Sequence, residues 1–110
     1  MTEEPTPDAT HVAPPGATAE LTWEGPDDRL DYTATAGWTV LRKDERPAAE
    51  VFSVSYVVDA PDRPVTFVFN GGPGASSAYL HMGAVGPKRV DLPSDGSLPT
   101  MPPRLVENEA

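Results

Sequence analysis

The chain contains no cysteine, which excludes disulfide bonds and every mechanism that depends on a thiol. It has only two histidines and lacks the Cys/His spacing of a zinc site. No motif for a bound cofactor is present either. The sequence therefore predicts a protein without a metal ion or a cofactor.

Basic residues are also scarce. Eight lysines and arginines stand against 17 aspartates and glutamates, so the formal net charge is −9 at pH 7. A chain this acidic is a poor partner for nucleic acid and for anionic membrane surfaces, and we expect neither. No apolar run is long enough to span a bilayer, and the acidic start Met1-Thr2-Glu3-Glu4-Pro5 does not resemble a signal peptide. These features predict a cytoplasmic location.

Proline, in contrast, is abundant, with 14 residues in a chain of 110. The first 28 residues combine several prolines with acidic side chains and few large apolar groups. Such a segment cannot bury enough surface to offset the entropy lost on ordering. We predict that residues 1–28 form a mobile acidic, proline-rich tail and that residues 29–110 form a single domain.

Two segments alternate between apolar and polar side chains with the period of a half-buried strand. The first runs from Leu30 to Val40 and the second from Glu50 to Asp59. The charged stretch between them, Arg42 to Ala49, contains a proline and predicts a hairpin loop. The sequence therefore predicts an antiparallel hairpin.

The next stretch is the most distinctive of the chain. Val65 to Phe69 is a continuous apolar run, which predicts a strand buried on both faces. Asn70-Gly71-Gly72-Pro73-Gly74 then turns the backbone, and Ser76 and Ser77 open a segment with the apolar spacing of a helix as far as Val85. A hairpin followed by a buried strand, a glycine loop and a helix indicates an α/β fold.

A glycine loop between a strand and a helix serves several chemistries. The Walker A and dinucleotide-binding spacings are both absent, which argues against a phosphate site. Ser76 is rejected as an elbow nucleophile, because Ala78 stands where the elbow needs glycine and His81 lies about 140° away around a helix of 3.6 residues per turn. Two interpretations stay open. The loop donates N–H groups to an oxyanion, or it is a tight turn followed by a serine cap.

The motif Asn70-Gly71-Gly72-Pro73-Gly74-x-Ser76-Ser77, followed by Gly86-Pro87-x-x-Val90, resembles the serine carboxypeptidase family. These α/β-hydrolases remove C-terminal residues from peptides with a Ser-Asp-His triad. The resemblance implies that Gly72 lends its N–H to the oxyanion hole. It also implies that Asn70, with Gly71, helps to hold the C-terminal carboxylate of a peptide substrate.

A triad cannot be assembled from the motifs of this sequence, because no Gly-x-Ser-x-Gly nucleophile elbow is present. We therefore expect residues 29–110 to be the N-terminal part of an α/β-hydrolase, inactive alone, with the remainder of the hydrolase chain as its partner. The alternative is a small non-catalytic module that binds a peptide C-terminus or another anion through the glycine loop. A third interpretation is an interaction domain whose edge strands pair with a partner.

Overall fold

The computed structural model describes residues 11–109, and most of its regular structure is antiparallel strand. The strands are β1 (Ala17–Glu24), β2 (Arg29–Lys43), β3 (Arg46–Val57), β4 (Lys88–Val90) and β5 (Leu105–Glu107). A three-residue helix, α1 (Ala78–Leu80), continues into a π-helical turn, π1 (His81–Val85). The chain divides into two compact units. One contains Tyr32–Asp59 with the described residues up to Leu21, and the other contains Thr22–Asp31 with the described residues from Ala60 onward.

The predicted hairpin is confirmed as β2 paired antiparallel with β3. Its connection is much shorter than predicted, since Lys43 already pairs with Arg46. Only Asp44 and Glu45 form the turn, with φ of 52° and 63°. Two consecutive residues with positive φ are typical of a type I′ turn, whose twist matches that of the flanking strands.

Strand β1 differs from the sequence-based prediction, because Ala17–Glu24 belongs to the segment 1–28 that was expected to be mobile. It lies beside β2 at the edge of a three-stranded sheet of order β1-β2-β3. The Thr, Glu and Asp side chains of one face join the two strands in an antiparallel register, with hydrogen bonds Thr18–Thr35, Glu20–Thr33 and Thr22–Asp31. These contacts explain why the segment is ordered despite its prolines. The part of the predicted tail at residues 1–10 lies outside the described residues.

The opposite face of the β2–β3 hairpin is apolar. Tyr32 is the most buried side chain, at 5% exposure, and its ring meets the edge of Tyr56 at a centroid distance of 5.7 Å. Trp38 and Phe52 make a second edge contact at 5.2 Å. Burial, followed by the neighbouring Tyr32, raises the pKa of the Tyr56 hydroxyl. Aromatic pairs of this kind stabilise a hairpin by roughly 0.5–1.5 kcal/mol each beyond their burial.

The buried strand expected at Val65 to Phe69 is not formed, and that prediction is wrong. The segment has no regular secondary structure, and Phe67 and Phe69 are 79% and 84% exposed. A strand with two apolar faces needs neighbouring strands on its edges and covering layers on both faces. None of the strands among residues 11–109 pairs with this segment.

The predicted helix is present only in part. Its regular portion begins at Ala78 and ends at Leu80, and the following turn closes with the i to i+5 bond from Gly86 N to His81 O, 2.9 Å long. Gly86 is required at this position, because a Cβ built on it would lie 2.6 Å from the His81 carbonyl oxygen. Gly86 and Pro87 therefore end the helical turn and lead directly into β4.

The second unit is held together around Asn108. Its Nδ2 donates to the carbonyl oxygens of Ala84 and Gly86 at 2.7 and 2.8 Å, and its own carbonyl accepts from Trp23 Nε1 at 2.8 Å. Strand β4 pairs antiparallel with β5 in the same unit, and Lys88 forms an ion pair with Glu107. One asparagine thus joins the helical turn, the short β4–β5 sheet and the end of β1.

Acidification is expected to loosen the β4–β5 pairing. The hydrogen bond from Lys88, and next the backbone N–H of Glu24, hold the pKa of Glu107 below its ordinary value of 4.5. Because the folded-state pKa is depressed, the stabilisation is complete above pH 4.5 and is lost as the pH falls through the lowered pKa. Hydrogen exchange of the Glu24 and Asn108 amides, expressed relative to the intrinsic exchange rate at each pH, should accelerate in that window.

The matched variants for this titration are Glu107→Gln and Glu109→Gln. Glu107→Gln should abolish the pH-dependent acceleration at both amides, since the titrating group is gone. Glu109→Gln should keep it, because Glu109 forms no ion pair among residues 11–109. The same acceleration in the Glu107→Gln protein would show that another group controls this pairing.

Candidate functional site

The glycine loop contains a well-defined turn. Pro73 and Gly74 are its two central residues, and the Ala75 N–H donates to the Gly72 carbonyl oxygen at 2.9 Å. Gly74 has φ of 81°, the value that the third residue of a type II turn requires. Proline in the second position and glycine in the third are the residues that this turn favours. The sequence therefore fixes the turn by local chemistry alone.

Gly72 has φ of 84°, a conformation that residues with a side chain rarely adopt. Space does not forbid a side chain at this position, because a Cβ built on Gly72 would meet only Ala75 Cβ at 3.6 Å. A Cβ on Gly71 or Gly74 would meet nothing within 4 Å. Glycine is thus needed at 72 for its backbone angle, and the loop is open to approach from outside.

Asn70 is bonded to the loop at both ends of its side-chain amide. Nδ2 donates to the Gly71 carbonyl oxygen at 3.0 Å and to the Ala75 carbonyl oxygen at 3.2 Å. Oδ1 accepts a hydrogen bond from the Ser77 hydroxyl. We call Asn70 and Ser77, with these three bonds, the loop clamp. It spans the type II turn and connects the start of the loop to the start of α1.

The two serines have different partners. Ser76 Oγ accepts from the Ala78 N–H at 3.2 Å, which is a local turn at the beginning of α1. Ser77 occupies the N-cap position, but its side chain makes no capping bond and donates to Asn70 instead. The expected serine cap is therefore not formed at the N-cap position, and Ser76 makes only a local turn.

Two backbone N–H groups of the loop are available to bind a ligand. Within residues 11–109, neither Gly71 N–H nor Gly72 N–H donates a hydrogen bond to the protein. Pro73 follows them and has no N–H to compete. The three residues predicted to form the site, Asn70, Gly71 and Gly72, are adjacent in one exposed loop, and free donors of this kind can bind a carboxylate or an oxyanion.

The glycine loop does not line the cavity of the second unit. A cavity of about 300 Å³ lies elsewhere in the second unit, lined by Asp91, Thr100, Met101, Pro102 and Arg104, and no loop residue contributes to it. In the part of the chain from 11 to 109, no group of three or more acidic or histidine side chains is placed to hold a metal ion. No helix in that range is long and apolar enough to cross a membrane.

Comparison of the chain with protein-family models, with curated proteins and with solved structures found no match. The likeness to serine carboxypeptidases therefore depends on the motif residues themselves. In the structure the first part of that motif, residues 70–77, forms the glycine loop and its clamp. The second part, Gly86 to Val90, closes the helical turn and forms β4.

One contributor to the site is absent from the sequence-based set of site residues, namely Ser77. Its contact with Asn70 joins residues seven apart, which no local turn rule predicts. The only signal in the sequence was the pair Ser76-Ser77 shortly after Asn70, and such a pair is also typical of a simple helix cap.

Proposed function

We propose that this chain supplies the oxyanion-hole loop of a serine carboxypeptidase-type hydrolase. The observation that supports the proposal is the Gly72 N–H, which has no acceptor among residues 11–109 and lies in an exposed loop stiffened by a type II turn. Acyl transfer builds negative charge on the former carbonyl oxygen of the substrate. A fixed N–H aimed at that oxygen stabilises the transition state more than the ground state.

The remaining roles follow the same proposal. The substrate is a peptide with a free C-terminal carboxylate, which Asn70 and Gly71 help to hold. Of the two protons on Asn70 Nδ2, the one donated to Ala75 O has the longer bond, 3.2 Å, and the substrate carboxylate replaces Ala75 O as its acceptor. A charged acceptor forms the stronger hydrogen bond, so this exchange is favourable.

The nucleophile, the base and the orienting acid come from the remainder of the hydrolase chain in this proposal. Ser77 is not the nucleophile, because its hydroxyl donates to Asn70. The exposed apolar segment from Val65 to Phe69 becomes a central strand once neighbouring strands and covering helices are supplied. The cytoplasm is the compartment that we propose for the whole enzyme.

The deciding experiment is to sequence the transcript beyond the codon for Ala110. The proposal expects an open frame that encodes a Gly-x-Ser-x-Gly nucleophile elbow, followed by an aspartate and a histidine. A stop codon at that place would overturn the carboxypeptidase assignment and leave a binding module. That second candidate is supported by the same free N–H groups, which can bind a peptide C-terminus without any chemistry.

The 110-residue chain alone is expected to show no hydrolysis of blocked dipeptides or activated esters. The reason is physical, since an oxyanion hole without a nucleophile and a base leaves only a small residual rate. The measurement is release of the amino acid or the alcohol over hours at high protein concentration. Turnover that disappears in proportion to an added serine-directed phosphonate would show that a complete catalytic site is present.

A further inference from the structure

The direction of the Gly72 N–H is set by the peptide plane that joins Gly71 to Gly72. Among residues 11–109 only the Met101–Pro102 bond is cis, so this peptide is trans. In a trans peptide the C=O and the N–H point in opposite directions. Any contact that holds the Gly71 carbonyl on the inner side of the loop therefore turns the Gly72 N–H to the outer side.

Asn70 provides that contact. Its Nδ2 donates to the Gly71 carbonyl oxygen at 3.0 Å, and its second proton is donated to Ala75 O. Both bonds require that the nitrogen, and not the oxygen, of the side-chain amide faces these two carbonyls. If the amide turned over, Oδ1 would face two carbonyl oxygens and repel both.

Ser77 anchors the other end of the amide. Its hydroxyl donates to Oδ1 and holds the side chain beside the loop, while the Gly71 and Ala75 carbonyls select Nδ2 for their side of the amide. We propose that Ser77 is a positioning residue, which holds the Asn70 amide in the orientation that keeps the Gly72 N–H turned outward. The inference rests on the proposed function for its catalytic meaning, although the orientation itself is a property of the loop.

Loss of the Ser77 hydroxyl has a definite consequence. Without it the Asn70 side chain can move away from the loop, which weakens its bond to the Gly71 carbonyl. The Gly71–Gly72 peptide can then rotate with little steric resistance, because both residues are glycine. Rotation would present the Gly71 carbonyl to an incoming substrate in place of the Gly72 N–H. A carbonyl oxygen at that position repels an oxyanion and stabilises nothing.

The test is an NMR comparison of the isotopically labelled 110-residue chain with three variants, Ser77→Ala, Ser77→Thr and Ser76→Ala. The readouts are hydrogen exchange of the Asn70 side-chain amide and the ¹³C shift of the Gly71 carbonyl. In Ser77→Ala we expect exchange of the Asn70 amide to rise about fivefold, as for the loss of one neutral hydrogen bond. The Gly71 carbonyl shift should move toward that of an unstructured glycine.

The two other variants make the result specific to the hydroxyl at 77. Ser77→Thr keeps a hydroxyl and should restore both readouts. Ser76→Ala removes the neighbouring hydroxyl, which contacts only the Ala78 N–H among residues 11–109, and should leave both readouts unchanged. Unchanged spectra in Ser77→Ala, or equal effects of Ser76→Ala and Ser77→Ala, would overturn the inference.

The outcome is separable from that of the proposed function, because no catalysis is measured. If the NMR result supports the clamp but the transcript has a stop codon after Ala110, the role of Ser77 stands and the hydrolase function is excluded. The loop is then an anion-binding site whose shape Ser77 maintains. If the transcript encodes the hydrolase but the NMR readouts do not change in Ser77→Ala, Ser77 has no positioning role, and the proposed role of the Gly72 N–H is unaffected.

Discussion

Replacement of the Gly72 amide by an ester is expected to lower kcat of the complete hydrolase by roughly a hundred- to thousandfold with little change in KM. The ester places an oxygen where the nitrogen was, which makes the Gly71 carbonyl a weaker acceptor for Asn70 Nδ2. It also removes the N–H that we propose for the oxyanion hole. That donor acts on charge that develops in the transition state, so its loss falls on kcat. The magnitude corresponds to about 2.7–4 kcal/mol for one oxyanion-hole donor.

The backbone angle of Gly72 explains why ordinary substitutions cannot make this test. Proline fixes φ near −65°, whereas Gly72 has φ of 84°, so Gly72→Pro would rebuild the loop as well as delete the N–H. The matched control is D-alanine at position 72, which favours positive φ and keeps the donor. It should retain activity within a few fold. An ester enzyme with the kcat of the natural one would exclude Gly72 from catalysis.

The β2–β3 hairpin could be predicted from the sequence, because the alternation of apolar and polar residues within each strand indicates it. The alternation from Leu30 to Val40 and from Glu50 to Asp59 specifies both strands and their apolar face. The length of the loop could not, since Asp44 and Glu45 are unusual in a turn that needs two positive φ values. Strand pairing overrides that local preference and continues the ladder to Lys43 and Arg46.

Strand β1 was missed although the same signal was present. Ala17, Ala19, Leu21 and Trp23 share one parity, and Thr18, Glu20 and Thr22 share the other. The density of prolines before residue 28 outweighed this alternation in the prediction of a mobile tail. Prolines at positions 14 and 15 precede the strand and Pro26 follows it, so none of them interrupts its ladder.

The segment from Val65 to Phe69 was misjudged for the opposite reason. Its composition is that of a central strand, and composition alone reports what a segment would bury if it had neighbours. The described part of the chain offers it no pairing strand, and Val65, Phe67 and Phe69 remain largely exposed. Non-local pairing is the part of a fold that a local pattern cannot supply.

The loop itself shows the same division between local and non-local information. The type II turn at Pro73 and Gly74 follows from residue types at fixed positions. The clamp between Asn70 and Ser77 does not, because it depends on where the turn brings the chain back. This contact gives Asn70 two proposed tasks, holding the loop and holding the substrate carboxylate, and kinetics can separate them.

Asn70→Ala is expected to damage the hydrolysis of a free-acid peptide more than that of its C-terminal amide. Both forms should lose kcat/KM through the broken clamp, because the Gly72 N–H is no longer aimed. The acid should lose a further factor of roughly ten- to hundredfold, since a hydrogen bond to a charged group contributes about 1.5–3 kcal/mol. That additional loss should appear in KM, because the carboxylate is bound in ground and transition states alike.

Ser77→Ala is the variant that separates the loss due to the broken clamp from the loss due to the missing carboxylate contact. It weakens the clamp and leaves the Asn70 amide in the protein, so the additional loss of the acid relative to the amide should be smaller than in Asn70→Ala. Asn70→Asp keeps an acceptor for Ser77 but places a carboxylate against the carboxylate of the substrate, so KM for the acid should rise further than in Asn70→Ala. If Asn70→Ala reduces both peptide forms equally, Asn70 only positions the loop. Selectivity for a free C-terminus must then come from the part of the enzyme that completes the site.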